Sequence, residues 1–244
     1  MDTGRKHSRF PTTRWTLVLS AGTGGGESGS VLEELCKEYW HPLFHFARRN
    51  GNSDSDARDL TQGFFVYLLR RELFSAADPE RGRLRSFLIK AFKRYIGAVQ
   101  KHDSAAKRGG NEEILPLDSE IAKDRLRQVP IASSTPESDY DKMWALATLQ
   151  AAVRLLAAHE AEAGRDKEFR ELEPFLMADP PEEAEYTKAE QLLGKKQPAL
   201  RTSVYRLRKK LSRLLRKQIA GTLLNPSAAQ LEEEMAALKA ALRS

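Results

Sequence analysis

The sequence predicts an all-α protein with two helical domains joined by a flexible linker. Apolar residues recur at intervals of three and four in several long segments, which is the spacing of one face of an α-helix. Gly, Pro, Ser and Asn, which favour turns and linkers, separate these segments. A chain of 244 residues, 41% of them hydrophobic, is long enough for two modest domains.

The first half of the chain is predicted to alternate between helices and short turns. Its elements are a short helix over 10–21, a glycine-rich link over 22–30, a helix over 31–50 that Gly51 ends, a helix capped by Ser53 or Asp54, and a basic helix over 83–101. The core side of that basic helix is predicted to comprise Leu84, Phe87, Leu88, Ala91, Tyr95 and Val99. We therefore place an N-terminal extension at 1–30 and the first domain at 31–110.

The second half begins with a change of composition. Residues 111–194 include nineteen acidic and nine basic side chains, and the stretch VPIASSTPES at 129–138 is typical of a linker. The predicted helices are 141–159, 167–177, a pair within 186–217, and a last one capped by Asn225 and opened by Pro226. The predicted parts are a linker at 111–139, a second domain at 140–221 and an amphipathic C-terminal helix at 222–244, with Leu231, Met235, Leu238 and Leu242 along its apolar face.

The helix pair within 186–217 has the pattern of a helix-turn-helix. Gly194 is suited to end the first helix, residues 195–197 form the turn, and Pro198 fits the first position of the second helix. The apolar stripe of the second helix is Leu200, Val204, Leu207, Leu211 and Leu214. From Lys195 to Lys217 there are ten Lys or Arg and no Asp or Glu, a charge density that favours contact with a polyanion. The alternative is a solvated basic helix or a coiled-coil seam.

The distribution of charge narrows the class of partner. The net charge is only +6, but residues 81–110 carry nine Lys or Arg against one Asp, so two basic segments lie in an otherwise acidic chain. This segregation favours two nucleic-acid surfaces over general adhesion to membranes. No apolar run approaches the length of a membrane span, and no apolar signal core follows the basic N-terminus. A single cysteine, Cys36, excludes an internal disulfide and fits a reducing cytoplasm.

Two patterns suggest a metal site or a nucleotide site, but both are incomplete. A metal-binding helix is suggested by Glu38, His41 and His45. However, Pro42 intervenes, and no third ligand beyond the two histidines is evident. The GTGGG stretch at 22–26 has no Gly-Lys-Ser/Thr sequence of a phosphate-binding loop. No acidic cluster suited to Mg²⁺ accompanies the basic segments, which argues against a catalytic nucleic-acid enzyme. We therefore predict no catalytic residue, metal or cofactor, and a core thiol at Cys36.

Two motifs carry a family resemblance. DARDLTQGFF at 56–65 is similar to the D-A-x-D-L-x-Q-x-x-F signature of region 2 in extracytoplasmic-function (ECF) sigma factors of bacterial RNA polymerase. The segment from Tyr186 through Leu211 resembles their region 4, which has the pattern Y-x-x-I-A-x-x-L-G followed by V-R-S-x-x-x-R-A-R-x-x-L. RFPTTRWTLVLSAG and DPERGRLRSFL resemble a divergent, planctomycete-like branch of the family. Two motifs in the family's order are more specific than either alone, and the matches cover roughly residues 10–220.

The resemblance implies a transcription initiation factor that is not itself an enzyme. Such a factor binds core RNA polymerase, reads two promoter elements and helps to open the DNA in the cytoplasm; an anti-sigma or other regulatory protein is a possible further partner. A helix-turn-helix regulator that binds operator DNA without polymerase is the alternative. Such a regulator would need neither the 56–65 motif nor a second basic helix.

The resemblance also assigns residues to each partner. The polymerase contacts would be Asp56, Asp59 and Gln62. The −35 element would be contacted by Arg201, Thr202, Tyr205 and Arg206. Residues better suited to phosphates are Lys195, Lys196, Lys209 and Lys210, and, in the first domain near the −10 element, Lys90, Lys93, Arg94 and Lys101.

The chain departs from the family pattern at two places. Gly63 stands where the family has an acidic residue, at a cost of about 1 kcal/mol in helix propensity. The family's Asn and Asp in A-R-N-x-A-x-D are missing from FKRYIGA at 92–98, so the base read at the −10 element is not carried over. In this segment Phe87, Phe92 and Tyr95 are available either for base stacking or for the core.

Overall fold

A computed structural model describes residues 28–70, 83–106, 135–177, 183–223 and 226–243. Within these ranges every regular element is helical, which confirms the predicted all-α class. The α-helices are α1 (Ser28–Arg49), α2 (Asp54–Arg70), α3 (Leu84–Ala106), α4 (Pro136–Glu162), α5 (Asp166–Leu172), α6 (Glu183–Leu193), α7 (Gln197–Gly221) and α8 (Ala228–Arg243). A 3-10 turn, Glu173–Leu176, follows α5. The described residues divide into two compact units, the first ending at Met143 and the second beginning at Trp144.

Two predicted links are shorter than the sequence suggested. Helix α1 begins at Ser28, so residues 28–30 of the glycine-rich link are helical. Helix α4 begins at Pro136, so residues 136–139 of the predicted linker also belong to a helix. The Oγ1 atom of Thr135 accepts a hydrogen bond of 3.2 Å from the Ser138 N–H, which caps α4 ahead of the expected start. The short helix predicted over 10–21 lies outside the described residues.

Two other predicted helices have different ends. The helix expected over 167–177 is α-helical only to Leu172 and continues as the 3-10 turn, because Pro174 has no N–H for an α-helical bond. Helix α8 begins at Ala228 rather than at Pro226. Ser227 and Gln230 cap it reciprocally: the Gln230 N–H donates to Ser227 Oγ at 3.2 Å, and the Ser227 N–H donates to Gln230 Oε1 at 2.9 Å. Asn225, the predicted cap, lies outside the described residues.

The first unit has an aromatic core shared by its first three helices. Phe92 of α3 is fully buried, with ring centroids 4.9 Å from Phe64 of α2 and 6.2 Å from Phe46 of α1. Phe92 therefore belongs to the core and is not available for base stacking. The buried residues of α3 repeat every four positions and are Leu84, Leu88, Phe92 and Ile96. The predicted core side was therefore right at Leu84 and Leu88, whereas Phe87, Ala91, Tyr95 and Val99 are only half-buried.

Gly63 lies where α2 and α3 approach each other closely. A Cβ at this position would lie 2.3 Å from the hydroxyl oxygen of Tyr95, so only glycine lets that hydroxyl approach α2 this closely. The Tyr95 ring also contacts Phe64 and Tyr67 of α2, at centroid distances of 5.8 and 5.2 Å. The departure from the family pattern at Gly63 therefore coincides with a contact between α2 and α3.

The start of α4 packs within the first unit. The hydroxyl of the buried Tyr140 donates a hydrogen bond of 3.0 Å to the Arg85 carbonyl. Ion pairs join Arg49 to Asp139 and Arg85 to Asp141. These contacts explain why helical structure begins at Pro136, within the segment that composition alone assigns to a linker.

In the second unit α7 packs against α6, the 3-10 turn and α8. The predicted stripe of α7 is buried at Leu200, Val204, Leu207 and Leu211. The stripe then continues through Leu215 and Ile219, and Leu214 is only half-buried, because a straight helix drifts relative to a strict heptad. Helix α8 buries Met235 and Leu238 and forms an ion pair between Glu232 and Arg216 of α7. No helix in the described ranges is both long and apolar enough to cross a membrane.

Replacing Leu238 by Ala is expected to lower the free energy of unfolding by about 2 to 5 kcal/mol, because Leu238 is 2% exposed and its truncation leaves a cavity. Denaturant unfolding followed by circular dichroism measures the effect. Lys239→Ala, an exposed substitution on the same helix, is the control and is expected to change stability by less than about 0.5 kcal/mol. Equal stability of the two variants would contradict the packing of α8.

The thiol of Cys36 is expected to be unreactive in the folded protein. Burial raises its pKa from 9.0 to about 11, so at pH 8 only about one molecule in a thousand carries the reactive thiolate. Iodoacetamide labelling at pH 8, followed by mass spectrometry, should therefore be slow for the native chain and fast in denaturing urea. Rapid labelling of the native chain would contradict the raised pKa.

Candidate nucleic-acid interface

Helices α6 and α7 lie where the sequence predicts a helix pair, and a short turn separates them. Gly194 follows α6 with φ of +63°, a left-handed conformation that favours glycine. Lys196 has extended backbone angles at the N-cap of α7. Gln197 is the first residue of α7, so Pro198, predicted at the first position, is the second, and the turn is one residue shorter than predicted. In α6, Ala189 is buried, whereas Leu192 is 47% exposed.

The outward side of α7 carries a line of exposed polar and basic side chains. Thr202, Arg206, Lys209 and Arg213 follow one another at intervals of four, three and four residues, opposite the buried stripe. We call these four residues the α7 strip. Tyr205 lies beside the strip with 65% of its surface exposed. The hydroxyl of Thr202 donates to the Pro198 carbonyl at 2.9 Å, so its methyl group and oxygen lone pairs remain available to a ligand.

Arg201 occupies a different side of α7 from the strip. Its guanidinium carbon lies 5.0 Å from the ring centroid of Tyr186, a cation–π contact with α6. Tyr186 is itself buried against Phe175, with ring centroids 4.8 Å apart. Arg201 is exposed but is held at the flank, so the structure separates it from Arg206, which the sequence placed in the same group of contacts.

Four cations of the basic segment contact other parts of the second unit. Lys195 pairs with Glu168 at 2.7 Å, Lys210 pairs with Glu160 at 2.5 Å, and Arg216 pairs with Glu232. Arg208 donates two hydrogen bonds, of 2.7 and 3.2 Å, to the Phe175 carbonyl. Lys195 and Lys210, expected to meet phosphates, instead bind carboxylates. Among the described residues, the other cations of the segment make none of these four contacts; they are Lys196, Arg201, Arg206, Lys209, Arg213 and Lys217.

The two carboxylates that hold α7 are charged at neutral pH. Burial alone would raise the pKa of Glu160, which is 2% exposed, but hydrogen bonds from Arg165 and Lys210 lower it below its ordinary value. Burial acts in the same direction on Glu168, and hydrogen bonds from Lys195 and Ser203 likewise lower its pKa. Neither glutamate was predicted from the sequence. Glu168 lies 27 positions from Lys195 and Glu160 lies 50 positions from Lys210, and no local pattern links such distant residues.

The outward side of α3 resembles that of α7. Lys90, Arg94 and Lys101 are exposed, opposite the buried residues of α3 and at the same spacing as Thr202, Arg206 and Arg213. Lys93 lies to one side, where it binds Glu137 of α4 and sits 5.5 Å from the Phe46 ring centroid. The sequence analysis predicts a phosphate contact for each of these four cations. In the structure, three of them share the outward face of α3.

The predicted polymerase contacts lie on α2. Asp59 is exposed and Gln62 is half-buried, three residues apart, with Val66 one turn further along at 40% exposure. Asp56 is exposed but takes part in the cap of α2: its N–H donates to Ser53 Oγ at 3.1 Å, and its carboxylate accepts from the Ser53 hydroxyl at 2.6 Å. Of the three predicted contacts, Asp59 and Gln62 therefore share the surface that α2 turns away from its core.

Two histidines of α1, His41 and His45, lie one helical turn apart. Burial lowers the pKa of both His41 and His45, which keeps both rings neutral at pH 7. Among the described residues, no three His, Cys, Asp or Glu side chains come together as a potential metal site.

The α7 strip carries exposed threonine, arginine and lysine side chains, which are able to contact the bases and phosphates of duplex DNA. Arginine forms bidentate bonds to guanine, lysine neutralises phosphate, and the methyl group of threonine contacts the methyl group of thymine. Comparisons with protein-family models, curated proteins and solved structures found no match to this chain.

Proposed function

We propose that the protein is a sigma-type initiation factor that directs RNA polymerase to promoters. The α7 strip carries the proposal, because it presents Arg206, Lys209 and Arg213 outward, without acidic partners among the described residues, on the second helix of a helix-turn-helix. Exposed cations in this arrangement favour the major groove of DNA. The resemblance of residues 186–211 to sigma region 4 makes the −35 element the proposed target.

The first unit is proposed to bind the polymerase and the DNA near the −10 element. Asp59 and Gln62 resemble region 2 residues that contact the polymerase, and both lie on the outward side of α2. Lys90, Arg94 and Lys101 supply a basic face for the phosphates of the opened strand. Base stacking is not part of the proposal, because Phe92 is buried and the Tyr95 ring packs against α2.

This function implies two domains joined by a flexible linker, with the protein acting in the cytoplasm where core polymerase is found. A regulatory protein such as an anti-sigma factor would compete with DNA or polymerase by covering one of these surfaces. A stand-alone operator-binding regulator would use the α7 strip in the same way. Only the binding of core polymerase separates the two functions.

The double variant Asp59→Arg with Gln62→Ala is expected to lose at least about tenfold in affinity for core polymerase, because a cation replaces the carboxylate that faces a basic partner. Pull-down with purified core polymerase measures binding. Glu162→Arg, a charge reversal at an exposed site on α4, is the control and is expected to bind like the unmodified chain. If the unmodified chain does not bind polymerase at all, the sigma-type function is wrong and the regulator takes its place.

Arg206→Ala and Lys209→Ala are expected to separate base reading from phosphate binding. Arg206→Ala should weaken the binding free energy by about 1 to 3 kcal/mol on a duplex selected by the protein, because a base contact acts only where the matching base is present. On a scrambled duplex the binding free energy should change little. Lys209→Ala should weaken both complexes alike and lower the slope of log K against log salt by about one unit.

Equilibrium binding of the full-length chain to both duplexes over a salt series measures these effects. Arg154→Ala, which removes an exposed arginine of α4 outside the strip, is the control. The division between base and phosphate contacts is wrong if the Arg206 and Lys209 variants behave alike on the two duplexes.

A further inference from the structure

One flank of α7 carries ion pairs with two carboxylates. Glu168 of α5 accepts hydrogen bonds from Lys195 in the turn at 2.7 Å and from Ser203 of α7 at 2.8 Å. Two turns further along α7, Glu160 accepts from Lys210 and Arg165 at 2.5 and 2.6 Å. The two glutamates therefore place two negative charges among the three cations Lys195, Lys210 and Arg165.

These contacts border one open cleft beside α7. Its charged lining comprises the carboxylates Glu160 and Glu168 and the cations Arg165, Lys195, Arg206 and Lys210. Arg206 belongs both to this cleft and to the α7 strip. Lysines paired with carboxylates therefore lie beside cations of α7 that have no such partner among the described residues.

We propose that Glu168 and Glu160 mask Lys195 and Lys210 from polyanions, and so confine DNA contact to the α7 strip; this inference rests on the proposed function for its DNA target. Unmasked, the two lysines would add phosphate contacts that carry no sequence information. Such contacts strengthen binding to every sequence alike and therefore lower the ratio of specific to non-specific affinity. The glutamates thus act as specificity-determining residues without touching the DNA.

The masking is stable at neutral pH because both carboxylates are deprotonated there, with a pKa below the ordinary value of glutamate. The lysine side chains keep 45% and 43% of their surface exposed, so a polyanion could reach them once the carboxylate charge is removed. Glu168 is the better site for a test, because Glu160 is more deeply buried.

Removing the charge of Glu168 is expected to strengthen binding to any polyanion through Lys195. Glu168→Gln should steepen the slope of log K against log salt by about 0.9 on a random-sequence duplex, the value of one additional phosphate contact. Between 200 and 50 mM salt this corresponds to about a threefold larger gain in affinity than the unmodified chain shows. Glu162→Gln, an exposed glutamate at the end of α4, is the matched control for net charge and should leave the slope unchanged.

Lys195 completes a double-mutant cycle. Lys195→Gln alone should change the slope little, because the lysine is already masked, and combined with Glu168→Gln it should remove the gain. The matched variant Lys209→Gln, at a lysine with no acidic partner among the described residues, should lower the slope by about one unit. This comparison needs no Glu168 variant, so it tests the masking even if Glu168→Gln does not fold. Equal losses from Lys195→Gln and Lys209→Gln would overturn the proposal.

Elution from immobilised heparin separates this inference from the DNA-binding function. Masking predicts that Glu168→Gln elutes at higher salt than Glu162→Gln, whether or not the chain binds DNA. Co-elution of the two variants overturns the masking. If heparin separates the variants and yet no duplex is bound, the masking holds and the proposed function fails.

Discussion

A buried carboxylate constrains one flank of α7, whose apolar stripe packs on the core. Glu160 is 2% exposed, and a carboxylate in such a place has to be paired and hydrogen-bonded, which Arg165 and Lys210 accomplish. The apolar stripe of α7 fixes the side that faces the core, while Glu160 and Glu168 fix one flank. Rotation of α7 about its axis is thereby determined, and the α7 strip is the face that remains.

The acidic composition of the middle of the chain has a structural use in both units. In each unit, carboxylates from this part of the sequence bind cations of the neighbouring helices. The pairs are Glu137 with Lys93, Asp139 with Arg49, Asp141 with Arg85, Glu160 with Lys210, and Glu168 with Lys195. The partly exposed pairs contribute little to stability, with a median near 0 to 1 kcal/mol. Under the masking proposed for Lys195 and Lys210, such pairs also limit which cations are available to an outside partner.

The local sequence pattern was sufficient to predict most of the helices and the turn at Gly194. The spacing of Leu200, Val204 and Leu207 fixes a helix face whatever surrounds it, and the glycine and proline signals are short-range. The local sequence pattern did not predict features that depend on contacts between residues far apart in the sequence. The start of α4 depends on Tyr140 and Asp141 contacting Arg85, more than fifty positions earlier. Likewise, nothing near Lys195 or Lys210 in the sequence distinguishes them from Lys209, since the distinction lies in Glu160 and Glu168.

For the proposed DNA contact, the length of the α7 strip sets an upper limit on the number of base pairs that this helix reads. From Thr202 to Arg213 the helix rises about 16 Å, at 1.5 Å per residue. Along a DNA duplex that distance corresponds to about five base pairs, at 3.4 Å each. Five base pairs admit only about a thousand different sequences, whereas a genome offers at least about a million competing sites. Under the proposed function, the remaining selectivity has to come from a second DNA contact or from a partner.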